Sequence, residues 1–417
     1  SHFDTLDLDA AEPGEAGFAA LSDKERALVG AYAEAIIWPG QIVPAVDARS
    51  LGAAEDLLSS FPGGLQSLYR GALKSLDALA LARRGQGFCR LSKDERWELI
   101  CGLEQLGPSG RGLRILLGMP IKTAHFSRRD YLDAVGVPTY EHVSNEPPPD
   151  YMQQVSTPAD LDTETTIEAD VVVIGTGAGG GPLAAHLAES GLAVALVEEG
   201  KYYGRKDFSG APAERMRRFA RKSGMTFSLG NTVVSIPLGK MVGGTTGINS
   251  GTCFRTPDGV LADWRRRGLP SDLNPQSMDR YFRQVEEELR IQPGIQPYLG
   301  PIADLVARGA DAMGLSHAPL PRNAEGCDGQ GSCAFGCPTE AKRSTNISYI
   351  PRALRAGAEL FTGMKVERLL MRGRRASGVL ARGTTDSGAP RRLIIRADAV
   401  VVAAGAMGSP LLLQDNG

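Results

Sequence analysis

The sequence has no apolar run near the roughly 20 residues that a membrane-spanning helix needs. Its first residues, SHFDTLDLDAAEPG, have neither the basic start nor the apolar core of a signal peptide. Both absences favour a chain that is soluble or at most peripherally associated with a membrane.

Neither sign of charge is in excess, because 46 Lys and Arg residues stand against 48 Asp and Glu residues, for a net charge of −2. This balance indicates no nucleic-acid partner and no anionic membrane. Cysteine is also scarce, with 6 residues in 417. That number is too small for a disulfide scaffold and fits assembly in a reducing compartment, so we expect cytoplasmic assembly.

The length of 417 residues predicts two or three domains, and the first of them reads as helical. Ser22 stands three residues before Glu25, and Ser92 stands three residues before Glu95. Both pairs are capping-box signatures, in which a hydroxyl and a carboxylate satisfy free amides at the start of a helix. Apolar residues recur at helical spacing after each pair, so we expect a small helical bundle over residues 21–127.

A proline-rich polar segment, SNEPPPDYMQQVSTPADLD, follows the helical region and is the best candidate for a linker. After it, ADVVVIGTGAGGGPLAAHLAESGLAVALVEEG reads as a strand, a glycine turn, a helix and a second strand. The later segment ADAVVVAAGAMGSPLLL reads as another buried strand followed by a turn and a helix. The sequence therefore predicts an α/β domain behind the helical one.

The glycine turn has the spacing of a dinucleotide-binding fingerprint. Gly175, Gly177 and Gly180 form G-x-G-x-x-G directly after the first strand, and Glu198 ends the second strand, 23 residues after Gly175. Glycines let the backbone approach a pyrophosphate at the start of a helix, and the carboxylate accepts a hydrogen bond from a ribose hydroxyl. The alternative is a glycine-rich structural turn, and the fingerprint alone does not separate FAD from NAD.

Two further segments resemble signatures of the glucose-methanol-choline (GMC) oxidoreductases. GKMVGGTTGINSGTCFRTPDGVLADW resembles the first signature of that family, and VVAAGAMGSPLLLQDNG resembles the second. The resemblance covers residues 170–417 and implies FAD as the cofactor. It also implies a Rossmann-like FAD-binding domain of the GMC fold, of which the C-terminal half is expected to lie outside this chain.

The resemblance also assigns positions around the cofactor. It places Gly243, Gly244 and Thr245 along the pyrophosphate and flavin, Asn249 and Thr252 near the flavin ring, and Val366 beside adenine. Small polar residues of this kind donate hydrogen bonds to a ring edge that gains negative charge on reduction. The alternative is a surface loop rich in glycine and threonine.

Three cysteines lie close together in a later loop. Cys327, Cys333 and Cys337 follow the pattern C-x5-C-x3-C, with Pro338 next. The second half resembles the end of the bacterial ferredoxin motif, in which thiolates on a turning loop bind an iron-sulfur cluster. Because Gln330 stands where another ligand is expected, three ligands favour a 3Fe-4S cluster.

This spacing also resembles that of the flavoprotein subunit of bacterial membrane-linked FAD glucose dehydrogenases, GMC relatives that carry such a centre. The helical N-terminal region resembles the small subunit of those enzymes and of gluconate 2-dehydrogenase. Free or disulfide-bonded cysteines remain an alternative, because the long-chain alcohol oxidases of the family also have a Cys-rich loop. Zinc is a further alternative, although no fourth ligand has a typical spacing.

The family's proton-accepting histidine belongs to a part of the fold beyond the second signature, and none of the five histidines lies in a matching motif. They are His2, His125, His142, His186 and His317. We therefore assign no catalytic base within the chain. The expectation is a fragment, or a second polypeptide that carries the C-terminal half and completes the site.

The resulting hypothesis is an FAD-dependent dehydrogenase that oxidises an alcohol or sugar hydroxyl and passes electrons through the cluster to a cytochrome or quinone. An oxidase that uses O2 and a non-catalytic FAD-binding partner chain are the alternatives. The expected domains, in chain order, are a helical domain at 1–144, a linker at 145–165, an FAD-binding domain at 166–265, a partial substrate domain with the Cys-rich loop at 266–380, and a return to the FAD-binding domain at 381–417.

Overall fold

The structure is a computed structural model that describes residues 20–59, 61, 63–136, 147–224, 226–228, 234–295 and 298–417. The chain divides into two compact units: residues 1–139 with 210–237, and residues 140–209 with 238–417. His2, His142 and the first two residues of the expected linker, 145–146, lie outside the described residues.

The helices and strands are numbered in chain order. The helices are α1 Asp23–Ile36, α2 Ala48–Ser59, α3 Gly63–Arg84, α4 Lys93–Gly102, α5 Gly107–Phe126, α6 Arg129–Ala134, α7 Gly180–Glu189, α8 Pro212–Phe219, α9 Asp258–Arg266, α10 Pro275–Glu288, α11 Gly300–Ala312, α12 Tyr349–Arg355 and α13 Gly405–Gln414. The strands are β1 Val155–Ser156, β2 Glu164–Ile174, β3 Val194–Glu198, β4 Phe227–Ser228, β5 Val234–Ser235, β6 Gln292–Pro293, β7 Pro321–Arg322, β8 Glu359–Thr362, β9 Met364–Arg372, β10 Arg375–Thr384 and β11 Pro390–Val402.

The first unit is built around the helices α1 to α6, as the helical pattern predicts. Both capping boxes are present, since Ser22 and Glu25 cap α1 and Ser92 and Glu95 cap α4. The helices enclose one apolar core that includes Tyr32. Among the described residues, no helix is both long enough and apolar enough to cross a bilayer.

The second unit is organised by a seven-stranded sheet of order β1-β8-β3-β2-β11-β10-β9. The strands from β1 to β11 in that order run parallel, and β10 and β9 are antiparallel to their neighbours. Strands buried on both faces read as continuous apolar runs, which explains the sequence of β2. Val171 and Val173 pack with α7 and α12 on one face, whereas Val172 packs against β9 and β10 on the other.

The predicted strand, turn, helix and strand correspond to β2, the glycine turn, α7 and β3, and the later predicted strand and helix correspond to β11 and α13. The sheet includes residues that the sequence pattern assigned to the linker and to the substrate domain. Strand β1 lies inside the expected linker and pairs with β8, and the sheet re-forms at Glu359 rather than at position 381. Short strands such as β1 and β8 have weak local sequence patterns, and pairing with neighbouring strands stabilises them.

Candidate functional site

The glycine turn between β2 and α7 needs glycine at two positions for steric reasons. Gly175 has φ +97°, and a Cβ there would lie 2.5 Å from the carbonyl oxygen of Ala403. A Cβ on Gly180 would lie 1.9 Å from the carbonyl oxygen of Gly175. Both distances are far below any real contact, so these glycines let α7 start directly against the strand ends.

Gly177 differs from these two glycines because its surroundings are open. A Cβ on Gly177 would meet nothing closer than the carbonyl oxygen of Gly243, at 3.9 Å. Open space on the outer side of a glycine turn at a helix start is what a phosphate group requires.

Glu198 lies at the end of β3 and is buried. Its Oε2 accepts hydrogen bonds from the backbone N of Thr176 at 3.1 Å and from the Thr176 hydroxyl at 2.6 Å, and its Oε1 accepts one from the N of Gly200 at 2.9 Å. Burial raises the pKa of this carboxyl group, and the hydrogen bonds from Thr176 and Gly200 lower it in part. A carboxylate has about four acceptor positions, so one position remains for a ribose hydroxyl.

The flavin loop, defined here as residues 243–252, is joined to the glycine turn. The backbone N of Gly243 donates to the hydroxyl of Thr176 at 2.9 Å. Gly244 has φ +52°, and a Cβ on it would lie 3.3 Å from the Cα of Gly177. Two glycine-rich segments distant in sequence therefore form one continuous backbone surface, on which Thr245 is exposed.

The other residues predicted around the flavin lie on the same loop or in the adjacent core. Asn249 is exposed, and its Oδ1 accepts from the N of Gly251 at 3.0 Å. Thr252 is half-buried and forms an isolated β-bridge with Arg322. Val366 lies on β9 in the same apolar cluster as Val197, the neighbour of Glu198.

A mostly buried polar segment that the sequence patterns did not predict, KRSTNIS at residues 342–348, completes this surface. The hydroxyl of Thr345 donates to the carbonyl of Thr176 at 2.8 Å, and its backbone N donates to the hydroxyl of Thr246 at 3.1 Å. Asn346 is buried, and its Nδ2 has no hydrogen-bond partner among the described residues. The signal in the sequence was a dense run of polar residues directly before the apolar start of α12.

Lys342, the first residue of that segment, is buried and contacts the flavin loop. Its Nζ donates to the carbonyls of Gly247, Asn249 and Cys333, each at 2.8 Å. Burial lowers its pKa to about 8, and the nearby thiols of Cys333 and Cys337 raise it in part. One ammonium group therefore connects the flavin loop with the Cys-rich loop, residues 327–337.

A second cation, Arg322, makes a similar connection. Its Nη2 donates to the carbonyl of Ser250 at 2.6 Å and to the Sγ of Cys333 at 2.9 Å. In the described part of the chain, its buried Nε has no hydrogen-bond partner.

The three cysteines predicted to bind an iron-sulfur cluster do not share one environment. All six cysteines are described and free of disulfide bonds. Cys333 and Cys337 both lie near the ammonium of Lys342, whereas the Sγ of Cys327 accepts from the N of Gly329. Within the described residues, no group of three or more His, Cys, Asp or Glu side chains is arranged to hold a metal ion. The arrangement of these three thiols therefore does not fit an iron-sulfur cluster.

Residues 216–417 match the sequence profile of the family described as GMC oxidoreductase. Residues 216–417 carry the N-terminal domain of the GMC oxidoreductase family. An uncharacterized GMC-type oxidoreductase of Mycobacterium tuberculosis is 34% identical over 407 residues, covering 95% of this chain and 62% of the relative. A long-chain-alcohol oxidase of Arabidopsis thaliana is 30% identical over 270 residues, covering 62% of this chain and 35% of the relative.

Among solved structures, a formate oxidase of Aspergillus oryzae aligns with a TM-score of 0.45 and 17% identity over 60% of this chain and 48% of that one. The chain thus spans 62% of the length of the mycobacterial relative that it matches. A chain with this domain is expected to take FAD. Three features of the described residues fit that cofactor: the open turn at Gly177, the remaining acceptor position on Glu198 and the unpartnered Nδ2 of Asn346.

Proposed function

We propose that this chain is the FAD-binding part of an oxidoreductase that oxidises an alcohol or sugar hydroxyl. The observation that carries the proposal is the link from Glu198 through the hydroxyl of Thr176 to the amide of Gly243, because it joins the two glycine-rich segments at a buried carboxylate. The resemblance of the chain to long-chain-alcohol oxidases supports a hydroxyl group as the substrate.

When bound, FAD supplies a ring that accepts a hydride from the carbon bearing the hydroxyl group. The protein's part is to hold and orient the cofactor. Glu198 would accept a hydrogen bond from the adenosine ribose, and the turn at Gly177 would leave room for the pyrophosphate. Gly243, Gly244 and Thr245 would hold the pyrophosphate and flavin part of the cofactor. Asn249 and Thr252 lie on the same loop and offer polar groups at the ring edge.

Replacement of Glu198 tests this assignment. Glu198→Gln keeps the shape of the side chain but removes the charge, and Glu198→Ala removes the acceptor altogether. A hydrogen bond to a charged group contributes about 1.5–3 kcal/mol, so the Ala variant should bind FAD roughly 10- to 100-fold more weakly. The Gln variant should fall between Ala and wild type.

Glu359→Gln is the matched control, because Glu359 is exposed at the start of the neighbouring strand β8. Fluorescence titration of the apo-protein with FAD measures the affinities. An affinity for FAD that is unchanged in Glu198→Ala would remove Glu198 from the site.

Two electron acceptors are candidates. The first is a cytochrome or quinone, the acceptor of the dehydrogenase predicted from the C-x5-C-x3-C spacing alone, although the three thiols are not placed to hold the iron-sulfur cluster of that prediction. The second candidate is an oxidase that uses O2, which the resemblance to long-chain-alcohol oxidases favours. Iron and sulfide analysis of anaerobically purified protein separates them, since stoichiometric FAD without iron or sulfide would leave the oxidase.

The proton acceptor is proposed to come from sequence outside residues 1–417, on this polypeptide or on a second one. His186 and His317 are exposed, and His125 is buried in the first unit, where its Nδ1 lies 2.9 Å from the hydroxyl of Ser50. None of these three histidines is placed on the surface formed by the glycine turn and the flavin loop.

A further inference from the structure

The most unusual charge in the second unit is the ammonium group of Lys342. Lysine is almost never fully buried unless its charge is paired, yet the side chain of Lys342 is only 1% exposed. Its three hydrogen bonds, each 2.8 Å long, go to main-chain carbonyls, which match the three N–H donors of an ammonium group.

Among the residues that the structure describes, no carboxylate forms an ion pair with Lys342 or acts on its charge. The electrostatic partners that act on it are the thiols of Cys333 and Cys337 and the guanidinium of Arg322. The flavin loop is therefore in contact with a positive charge that no acidic side chain of the described residues neutralises. In a water-excluded environment, such a fixed charge acts strongly on any neighbouring group that becomes negative.

The hydrogen bonds of Lys342 show that its charge acts on the flavin loop. The carbonyls of Gly247 and Asn249 belong to the flavin loop, and Arg322 binds the carbonyl of the next residue, Ser250. Three carbonyls within four residues are thus bound by two cations. This arrangement fixes the main chain at Asn249, whose side chain is proposed to lie near the flavin ring.

We infer that Lys342 is a positioning residue for the flavin. It holds the main chain of residues 247–250 against the Cys-rich loop, and its positive charge favours the reduced, more negative form of the cofactor. This inference rests on the proposed function, because it requires FAD to bind at the flavin loop. It assigns a role to a residue outside both signature segments.

The first test replaces Lys342 with Met, which has a similar length but no charge and no N–H donor. In the FAD-loaded protein at pH 7, Lys342→Met should bind oxidised FAD at least tenfold more weakly. Reduced FAD should lose about tenfold more affinity than oxidised FAD, which corresponds to a midpoint potential about 30 mV lower for a two-electron couple. Spectrophotometric titration against reference dyes measures that potential without any turnover.

Lys342→Gln separates the hydrogen bonds from the charge. Its amide offers two donors, so it should restore part of the affinity for oxidised FAD while the midpoint potential stays low. Lys206→Met is the matched control, since Lys206 is exposed in the same unit. It should leave both quantities at the wild-type values.

Hydrogen exchange gives an independent readout that does not need the cofactor to be reduced. In Lys342→Met, amide exchange should increase in residues 247–252 and 333–337, while β2 and β3 keep their wild-type protection. A general loss of structure would raise exchange in those strands as well.

Three results would overturn the inference. The first is a folded Lys342→Met protein with wild-type affinity, potential and exchange. The second is a loss of affinity with an unchanged potential in both the Met and Gln variants, which would leave the charge without a role. The third is failure of both variants to fold, which would show that Lys342 supports the whole unit. A wild-type protein that binds no FAD would instead contradict the proposed function itself.

Discussion

The hydroxyl group of Thr176 occupies a position that few other side chains could fill. It donates to Glu198, accepts from the amide of Gly243, and belongs to a residue whose carbonyl accepts from Thr345. Three segments that are distant in sequence thereby meet at one fully buried residue. A buried polar network of this kind is costly to break, because each lost partner leaves another group unsatisfied.

Thr176→Val tests this network at the scale of a single residue. Valine has nearly the same shape but leaves the N–H of Gly243 without an acceptor, so the free energy of unfolding should fall by about 1–3 kcal/mol. FAD affinity should fall as well, because the flavin loop loses its attachment to the glycine turn. Urea unfolding and FAD titration measure the two effects.

Thr176→Ser is the control for the change in side chain, because serine keeps the hydroxyl group. It should recover most of the stability and FAD affinity that valine loses. Equal losses for valine, which keeps the methyl group, and serine, which keeps the hydroxyl group, would contradict the specific role of the hydroxyl group.

The lowered pKa of Lys342 predicts how the free energy of unfolding depends on pH. Its pKa is about 8 in the folded protein and 10.5 when unperturbed, so both states are protonated below pH 8. Between pH 8 and 10.5 the unfolded state binds more protons, and stability from this group therefore rises with pH. The two pKa values differ by about 2.5, which corresponds to about 3 kcal/mol.

The measurement is the free energy of unfolding of wild type minus that of Lys342→Met, followed from pH 7 to pH 11. This difference should increase through the window from pH 8 to 10.5 and be level below it. A difference that is level throughout, or one that decreases, would show that the folded-state pKa is not lowered.

At the scale of secondary-structure elements, the contact between the end of β2 and the start of α7 determines where the proposed pyrophosphate surface lies. Gly179 and Gly180 stand side by side in this turn but differ in their surroundings. A Cβ on Gly180 would lie 1.9 Å from the carbonyl of Gly175, whereas a Cβ on Gly179 would have nothing within 4 Å. Both have ordinary backbone angles for alanine, since neither has a positive φ.

The two alanine variants should therefore behave differently. Gly180→Ala must push α7 away from the strand, and we expect a loss of about 1–3 kcal/mol or more in unfolding free energy, the typical cost of overpacking. Gly179→Ala should be neutral in the apo-protein or slightly stabilising. Thermal unfolding of the two apo-proteins measures this, and similar destabilisation in both would contradict the steric explanation.

At the scale of the whole molecule, cofactor binding and catalysis are expected to separate. The proposed residues for FAD all lie in residues 175–366 of the second unit, whereas the described histidines are exposed or lie in the first unit. An oxidation of a hydroxyl group needs a proton acceptor next to the reacting carbon. Holding FAD and turning over an alcohol are therefore different requirements.

The prediction is that a homogeneous preparation of the 417-residue chain binds FAD but does not reduce an artificial acceptor with alcohols or sugars. Adding sequence that carries the C-terminal half of a GMC protein should restore reduction of the acceptor. Free FAD with denatured chain serves as the blank in a dye-reduction assay. Turnover by the chain alone would place the base within residues 1–417.

The sequence by itself determined the features that depend on short stretches of chain. The capping boxes at Ser22 and Ser92 and the close approach of Gly180 to Gly175 each involve neighbours a few residues apart, so the residue types reveal them directly. Spacing also predicted Glu198 at the end of its strand. Short apolar runs were sufficient to identify β2 and β11, and an amphipathic pattern was sufficient to identify α7.

Only the tertiary structure decided which distant residues meet. The ammonium of Lys342 binds carbonyls that are 95 and 93 residues away, and the hydroxyl of Thr345 binds one that is 169 residues away. Cys327 and Cys333 are close in sequence but have different partners, because the Sγ of Cys333 accepts from Arg322 whereas that of Cys327 accepts from the N of Gly329. Hydrogen bonds between distant segments follow from how the elements pack, and no local periodicity encodes that packing.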